Sequence, residues 1–255
     1  MQSIFIGGGT PALLESRELV RAVAHIRDVF GLAEDVEITT EANPDSVSPA
    51  SLEQLRSGGF NRISFGLQST SESVLAALER THRPGRSLQA VREAQAAGFE
   101  NINVDLIFGT PGESEADLRK TLEDVLELGV QHVSAYALIV EEGTRLARRI
   151  ARGEVPPPDD DVQADRYELV DAALAGSGLD WYEISNWAMP GFECRHNLAY
   201  WEGQNWWGVG PGAHSHVGGT RWWNERHPAT WTRALTNGVS PAQAREVVTT
   251  EDRVI

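Results

Sequence analysis

Ser3-Ile4-Phe5-Ile6-Gly7-Gly8-Gly9-Thr10-Pro11 decides how the rest of the chain is read: a short apolar run passes directly into three glycines. Glycine adopts φ > 0 freely and lets backbone come very close to a bound group. A loop of that kind at a strand's carboxyl end is where open α/β sheets and barrels assemble ligand sites. The loop lacks the G-x-G-x-x-G spacing of a dinucleotide fingerprint, and no Gly-Lys-Ser/Thr follows to make a Walker loop.

Downstream of this loop, strand and helix patterns alternate. Leu19, Val20, Val23, Ile26, Val29 and Phe30 fall at helical spacing and predict a helix over residues 16–30. Ser48-Pro49 predicts a capped helix that ends at Gly58. Further helices are expected over 71–79, 86–97, 114–128 and 160–175, the last entered from Pro156-Pro157-Pro158-Asp159-Asp160-Asp161, a stiff charged connector. Strands are expected to begin near Ser3, Val36, Arg62, Ile102, Val130 and Trp181. Strict alternation predicts parallel neighbours joined by right-handed crossovers, in an α/β barrel or a doubly wound sheet.

Polar groups stand at matching places in these strands. Gly7–Thr10 end the first, Glu41 ends the second, Gln68 ends the third, and Asp105 interrupts the apolar run Val104-Asp105-Leu106-Ile107-Phe108. A carboxylate in such a run costs several kcal/mol unless it is paired or faces a ligand. Four successive strands each carrying a polar group near the carboxyl end predict one site on one rim.

Composition excludes several classes. A net charge of −15 argues against nucleic-acid binding and against a polybasic membrane anchor. No apolar run reaches the ~18 residues of a spanning helix, and no signal peptide precedes the first strand. The single cysteine, Cys194, excludes an internal disulfide. A soluble cytoplasmic protein is expected. All eight tryptophans lie at or after Trp181, with His196, His214, His216 and His227 in the same stretch. This shift divides the chain into an aliphatic α/β part, residues 1–185, and an aromatic, glycine-rich part, residues 186–255. Met1 stands two residues before the first strand, leaving that strand as an uncovered edge. Thr249-Thr250-Glu251-Asp252 has the spacing of a helix start with few residues after it, so the chain reads as a fragment or a shortened product.

Several segments resemble the radical S-adenosylmethionine (SAM) proteins related to oxygen-independent coproporphyrinogen III oxidase. They are Gly7–Pro11, Glu41-Ala42-Asn43-Pro44, the run from Asn61 to Gln68, and the run from Asn103 to Gly112. Tyr182-Glu183-Ile184-Ser185-Asn186, Cys194-Arg195-His196-Asn197-Leu198-Ala199-Tyr200-Trp201 and the run from Gly208 to Ser215 are similar to the HemW-type heme chaperones. The resemblance implies an incomplete parallel (β/α) barrel of radical SAM type, followed by a truncated C-terminal domain. It implies a SAM site in which Gly8, Gly9 and Thr10 hold the methionyl amino group, while Glu41, Gln68, Arg80 and Asp105 contact the ribose and the amino-acid end. It implies heme handling by His196, Tyr200 and Trp201 in an H-N-x-x-Y-W element, with His196 as iron ligand and His214, His216 and Cys194 as competitors. A 4Fe–4S cluster belongs to the family pattern, but its cysteine loop lies upstream of the glycine motif and its ligands are absent from this chain. SAM cleavage by the chain as given is therefore not expected. The function implied is heme binding and delivery to a recipient hemoprotein; the alternative is radical oxidative decarboxylation of coproporphyrinogen III.

Overall fold

The computed structural model describes residues 1–80 and 83–249. Two compact units are present, Met1–Glu193 and Cys194–Ile255. The first unit carries β1 (Ser3–Ile6), α1 (Ser16–Phe30), β2 (Glu37–Ala42), α2 (Pro49–Ser57), β3 (Arg62–Gln68), α3 (Glu72–Ala77), α4 (Pro84–Ala96) and β4 (Asn101–Phe108). It continues with α5 (Glu115–Glu127), β5 (His132–Ala137), α6 (Arg145–Ala151), α7 (Asp160–Ala175), β6 (Asp180–Glu183) and β7 (Asn186–Ala188).

These strands form one seven-stranded sheet in the order β1-β2-β3-β4-β5-β7-β6. The first five are parallel neighbours, as the strand–helix alternation predicts, and β1 is an edge. The strand at Trp181 departs from expectation. It does not pair with β5; β7 lies between them and runs antiparallel to both. Ile184-Ser185 is too short a link for a crossover, so the chain reverses in a hairpin. Trp187 of β7 is fully buried, and its indole Nε1 donates to Asp171 Oδ1 at 2.8 Å, tying the inserted strand to α7. A division after residue 185 would cut this hairpin, whereas the compact units separate at Glu193–Cys194.

The period-two pattern of the strands assigns their faces. Ile38, Ile63, Phe65, Leu67, Ile102, Val104, Leu106 and Val133 are buried against the helices, with Leu52, Leu55, Val91, Leu122 and Val125 among their partners. Burying each such side chain contributes about 1.5–3 kcal/mol. The helices are begun by local chemistry. Ser48 Oγ accepts from Ser51 N ahead of Pro49 at the first position of α2, Ser114 Oγ accepts from Asp117 N before α5, and Asp159 caps α7 after the three prolines.

The second unit holds α8 (Arg195–Trp201), β8 (His214–Val217), β9 (Thr220–Asn224), α9 (Pro228–Thr236) and β10 (Ala242–Val247). Its three strands form an antiparallel sheet, β10-β9-β8. The helix start expected at Thr249–Asp252 falls, beyond Thr249, outside the described residues.

Candidate functional site

The sheet face away from the helices is polar. Register places Glu41 beside Ser64, Ser64 beside Asn103 and Asn103 beside His132, with Gly66, Asp105, Ser134 and Asn186 in the next row. Every one of these residues occupies the position in its strand that alternates with a core residue. At the carboxyl ends of β1–β4, glycines and carboxylates interleave. Gly7 lies against Glu41: a Cβ built there would stand 2.9 Å from Glu41 Oε1 and 2.8 Å from Phe5 Cε1. Gly66 pairs in register with Asp105, and the space a side chain there would fill is taken by the Gln68 amide.

The Gly8 amide donates to Glu41 Oε2 at 3.1 Å, closing the glycine loop onto β2. Gly8 and Gly9 both have positive φ, 85° and 65°, and a Cβ on either would meet nothing within 4 Å. The loop therefore presents bare, open backbone. Thr10 follows it as the cap of a short 3-10 turn over Pro11–Leu13.

Gln68 is the backbone outlier of the site, with φ at 67° although it is not glycine. The β3–β4 register shifts between Gly66 and Gln68, and this bulge turns the side chain back, so that its Nε2 would be 3.0 Å from a Cβ on Gly66. Gln68 is buried over the same polar face as Asp105. Strain at such a position is kept where surrounding structure demands it, commonly at ligand sites.

Asp105 is held by neutral donors. Ser64 Oγ lies 3.2 and 3.3 Å from its two oxygens, and Asn103 Nδ2 donates to Oδ1 at 2.7 Å. Burial pushes its carboxyl up to about 6, with the nearby Glu41 charge adding to the rise, against the lowering by the Asn103 and Ser64 hydrogen bonds and by Arg62. Glu113, in the loop after β4, accepts from Gly109 N at 2.7 Å and is pushed by burial up to about 7.

Of the residues expected to bind SAM, the structure brings Gly8, Glu41, Gln68 and Asp105 to one end of one sheet, with Gly9 and Thr10 in the adjoining loop. Arg80 lies exposed just beyond α3, where its amide donates to Leu75 O. Residues not singled out from sequence complete the face. His132 is fully buried between Asn103 and Tyr182, and Arg62 is buried with Nε unpartnered. The alternation Asn101-Ile102-Asn103-Val104-Asp105 marks a polar face on β4, but it does not point to Arg62 or His132, which lie on the neighbouring strands.

In the second unit, α8 stacks His196 and Tyr200 one helical turn apart, with ring centroids at 4.9 Å. The contact run continues from Tyr200 to Trp206 at 4.7 Å and from Trp206 to His216 at 4.8 Å. Tyr200 and Trp201 are about half exposed, at 46% and 47%. His216 is buried with Nδ1 on Gln204 O at 3.1 Å, and Cys194 is buried at the start of α8. His214 is exposed and stacked on Trp223.

A profile of the Radical SAM superfamily matches residues 1–125. The structure is similar to that of coproporphyrinogen III oxidase (HemN) from Escherichia coli, a radical SAM enzyme, with a TM-score of 0.85 over 99% of this chain and 61% of that one. Sequence identity there is 24%, so the likeness is one of fold. The protein named heme chaperone HemW in Mycobacterium tuberculosis is 52% identical over 246 residues, which cover 96% of this chain and 63% of that protein. The protein of the same name in Bacillus subtilis is 35% identical over 255 residues, 100% of this chain and 67% of that one.

A curled half-barrel with a glycine loop at the carboxyl ends of its strands is the radical SAM fold. Within that superfamily the chain belongs to the HemW family. It spans 63% of the length of the M. tuberculosis relative.

Superfamily membership implies SAM and a 4Fe–4S cluster, and the two fit these residues differently. Open glycine backbone beside two carboxylates with neutral partners suits a ligand that carries an ammonium group and ribose hydroxyls. The cluster finds no ligand set. The chain has one cysteine, where cluster irons take several thiolates, and no group of three or more His, Cys, Asp and Glu residues is arranged to hold a metal among the described residues.

Proposed function

We propose that this chain binds SAM on its half-barrel and takes heme as cargo on its second unit, as part of a cytoplasmic heme chaperone that delivers heme to a recipient hemoprotein. For the SAM half, support comes from Gly7, Glu41, Gly66 and Asp105 interleaving on one rim. The Gly8 and Gly9 carbonyls would receive the methionyl ammonium, with Thr10 closing the loop. Glu41 and Asp105 would accept from the ribose hydroxyls, and Gln68 would fix the orientation. Arg80 is assigned to the methionyl carboxylate, a charge pair its exposed place would form when ligand arrives. Bound SAM supplies an activated carbon–sulfur bond; the chain's residues orient it.

The observation that carries the heme half is the aromatic run His196–Tyr200–Trp206, next to half-exposed Trp201. It offers an imidazole for iron and flat apolar area for a porphyrin. His216 and Cys194, being buried, are poorer candidates than His196, and exposed His214 is the competitor that remains. No helix among the described residues is long and apolar enough to cross a membrane. Decarboxylation of coproporphyrinogen III is the second reading, favoured by the likeness in fold to HemN. Titration with ferric heme tests the chaperone reading.

A further inference from the structure

A hydrogen-bond chain crosses the polar sheet face and ends at Asp105. The Tyr182 hydroxyl lies 2.8 Å from His132 Nε2, and His132 Nδ1 lies 2.6 Å from Asn103 Oδ1. Asn103 Nδ2 then donates to Ser64 Oγ and to Asp105 Oδ1, both at 2.7 Å. Ser64 spends its own proton on Asp105.

Chemistry permits one polarity. Asp105, when ionised, only accepts, so Asn103 must turn its amide nitrogen toward it and its oxygen toward His132. That oxygen demands a donor, and the neighbouring Ser134 hydroxyl already donates to Asn186 Oδ1 at the shorter distance of 2.6 Å. His132 must therefore carry its proton on Nδ1, and Tyr182 must donate to the bare Nε2. Burial, with the Arg62 charge adding to it, holds the imidazole pKa well below its ordinary value, so the ring is neutral. With the amide reversed, the Asn103 oxygen would face the ionised Asp105 carboxylate, acceptor against acceptor.

We propose that His132 is a positioning residue for Asp105: its Nδ1–H locks the Asn103 amide, and the locked amide presents the Asp105 carboxylate to a ligand hydroxyl in one orientation. This rests on the SAM reading of the site, in which that hydroxyl belongs to the ribose. Tyr182 sets the tautomer from the far end.

The test uses the full chain, labelled for NMR. Ring 15N shifts read the His132 tautomer, the Asp105 13Cγ shift reads its titration, and calorimetry reads SAM affinity. Expected for the unsubstituted chain are an Nδ1–H imidazole and an Asp105 midpoint near 6. His132→Leu removes the donor and should raise that midpoint by about one pH unit and weaken SAM binding about tenfold. His132→Asn restores a donor toward Asn103 and should recover most of both effects. Tyr182→Phe keeps the ring volume, frees Nε2 to take the proton, and should shift the tautomer and the Asp105 midpoint in the same direction. It keeps the test alive if His132→Leu does not fold. An Nε2–H imidazole in the unsubstituted chain, or an Asp105 midpoint unmoved in both His132→Leu and Tyr182→Phe, overturns the proposal. A moved midpoint with SAM affinity unchanged in both His132→Leu and Asp105→Asn upholds the positioning role and sinks the SAM reading.

Discussion

Asn103 Nδ2 lies 2.7 Å from Asp105 Oδ1, two residues along the same strand and on the same face. This pairing explains how a carboxylate survives beside Val104 and Leu106, which point into the core. The donors are neutral, so they relieve only part of the desolvation cost. Asp105 is therefore poised to gain from a hydroxyl or a cation brought by a ligand.

Stability should depend on pH through this carboxylate. Folding raises its value from 3.8 to about 6, so the folded state binds the extra proton across that window. Below about pH 4 both states are protonated and no penalty exists. The penalty grows as pH rises through the window and is full above it. Asp105→Asn removes the titration and should be more stable than the unsubstituted chain at pH 7.5 by up to about 3 kcal/mol, converging below pH 4. Denaturant melts of the two proteins across pH 3.5–7.5 check this; parallel curves would contradict it.

Two methyl groups should damage the site without removing any polar atom. Gly7→Ala places a Cβ within 3 Å of the Glu41 carboxylate and the Phe5 ring, and Gly66→Ala crowds the Gln68 amide. In Gly66→Ala the atom that must move is the end of a flexible side chain, so stability should change by less than about 1 kcal/mol. SAM binding should fall about tenfold or more in both variants. Equal affinity in all three proteins would place the ligand elsewhere.

Trp187→Phe should cost about 2 kcal/mol, because it shortens a fully buried side chain and strips Asp171 of its indole donor. Chemical denaturation measures the loss. A neutral result would mean that β7 does not anchor α7.

The first five strands were legible because apolar runs alternate with helical patterns along the chain, and that alternation admits parallel pairing. The β7 strand was not legible. Asn186-Trp187-Ala188 is too short to show a period, and its place beside β5 follows from the hairpin at Ile184-Ser185. Glu41 stood out as the acid at the end of its strand, and Asp105 as an acid within an apolar run. Asn103 and His132 did not, because a buried amide and imidazole look ordinary until the register lines them up. The left-handed backbone of Gln68 arises from a bulge between strands, and a register shift leaves no mark on a single strand's pattern.

The proposal that this chain carries heme is tested most directly by titration with ferric heme, read at the Soret band. The account predicts saturable binding with a shifted band, lost or shifted back in His196→Ala and retained in Cys194→Ser, since Cys194 is buried. A spectrum unchanged in His196→Ala but abolished in His214→Ala would move the ligand to the exposed histidine of β8. Binding by the unsubstituted chain no greater than that of an unrelated acidic protein would contradict the account.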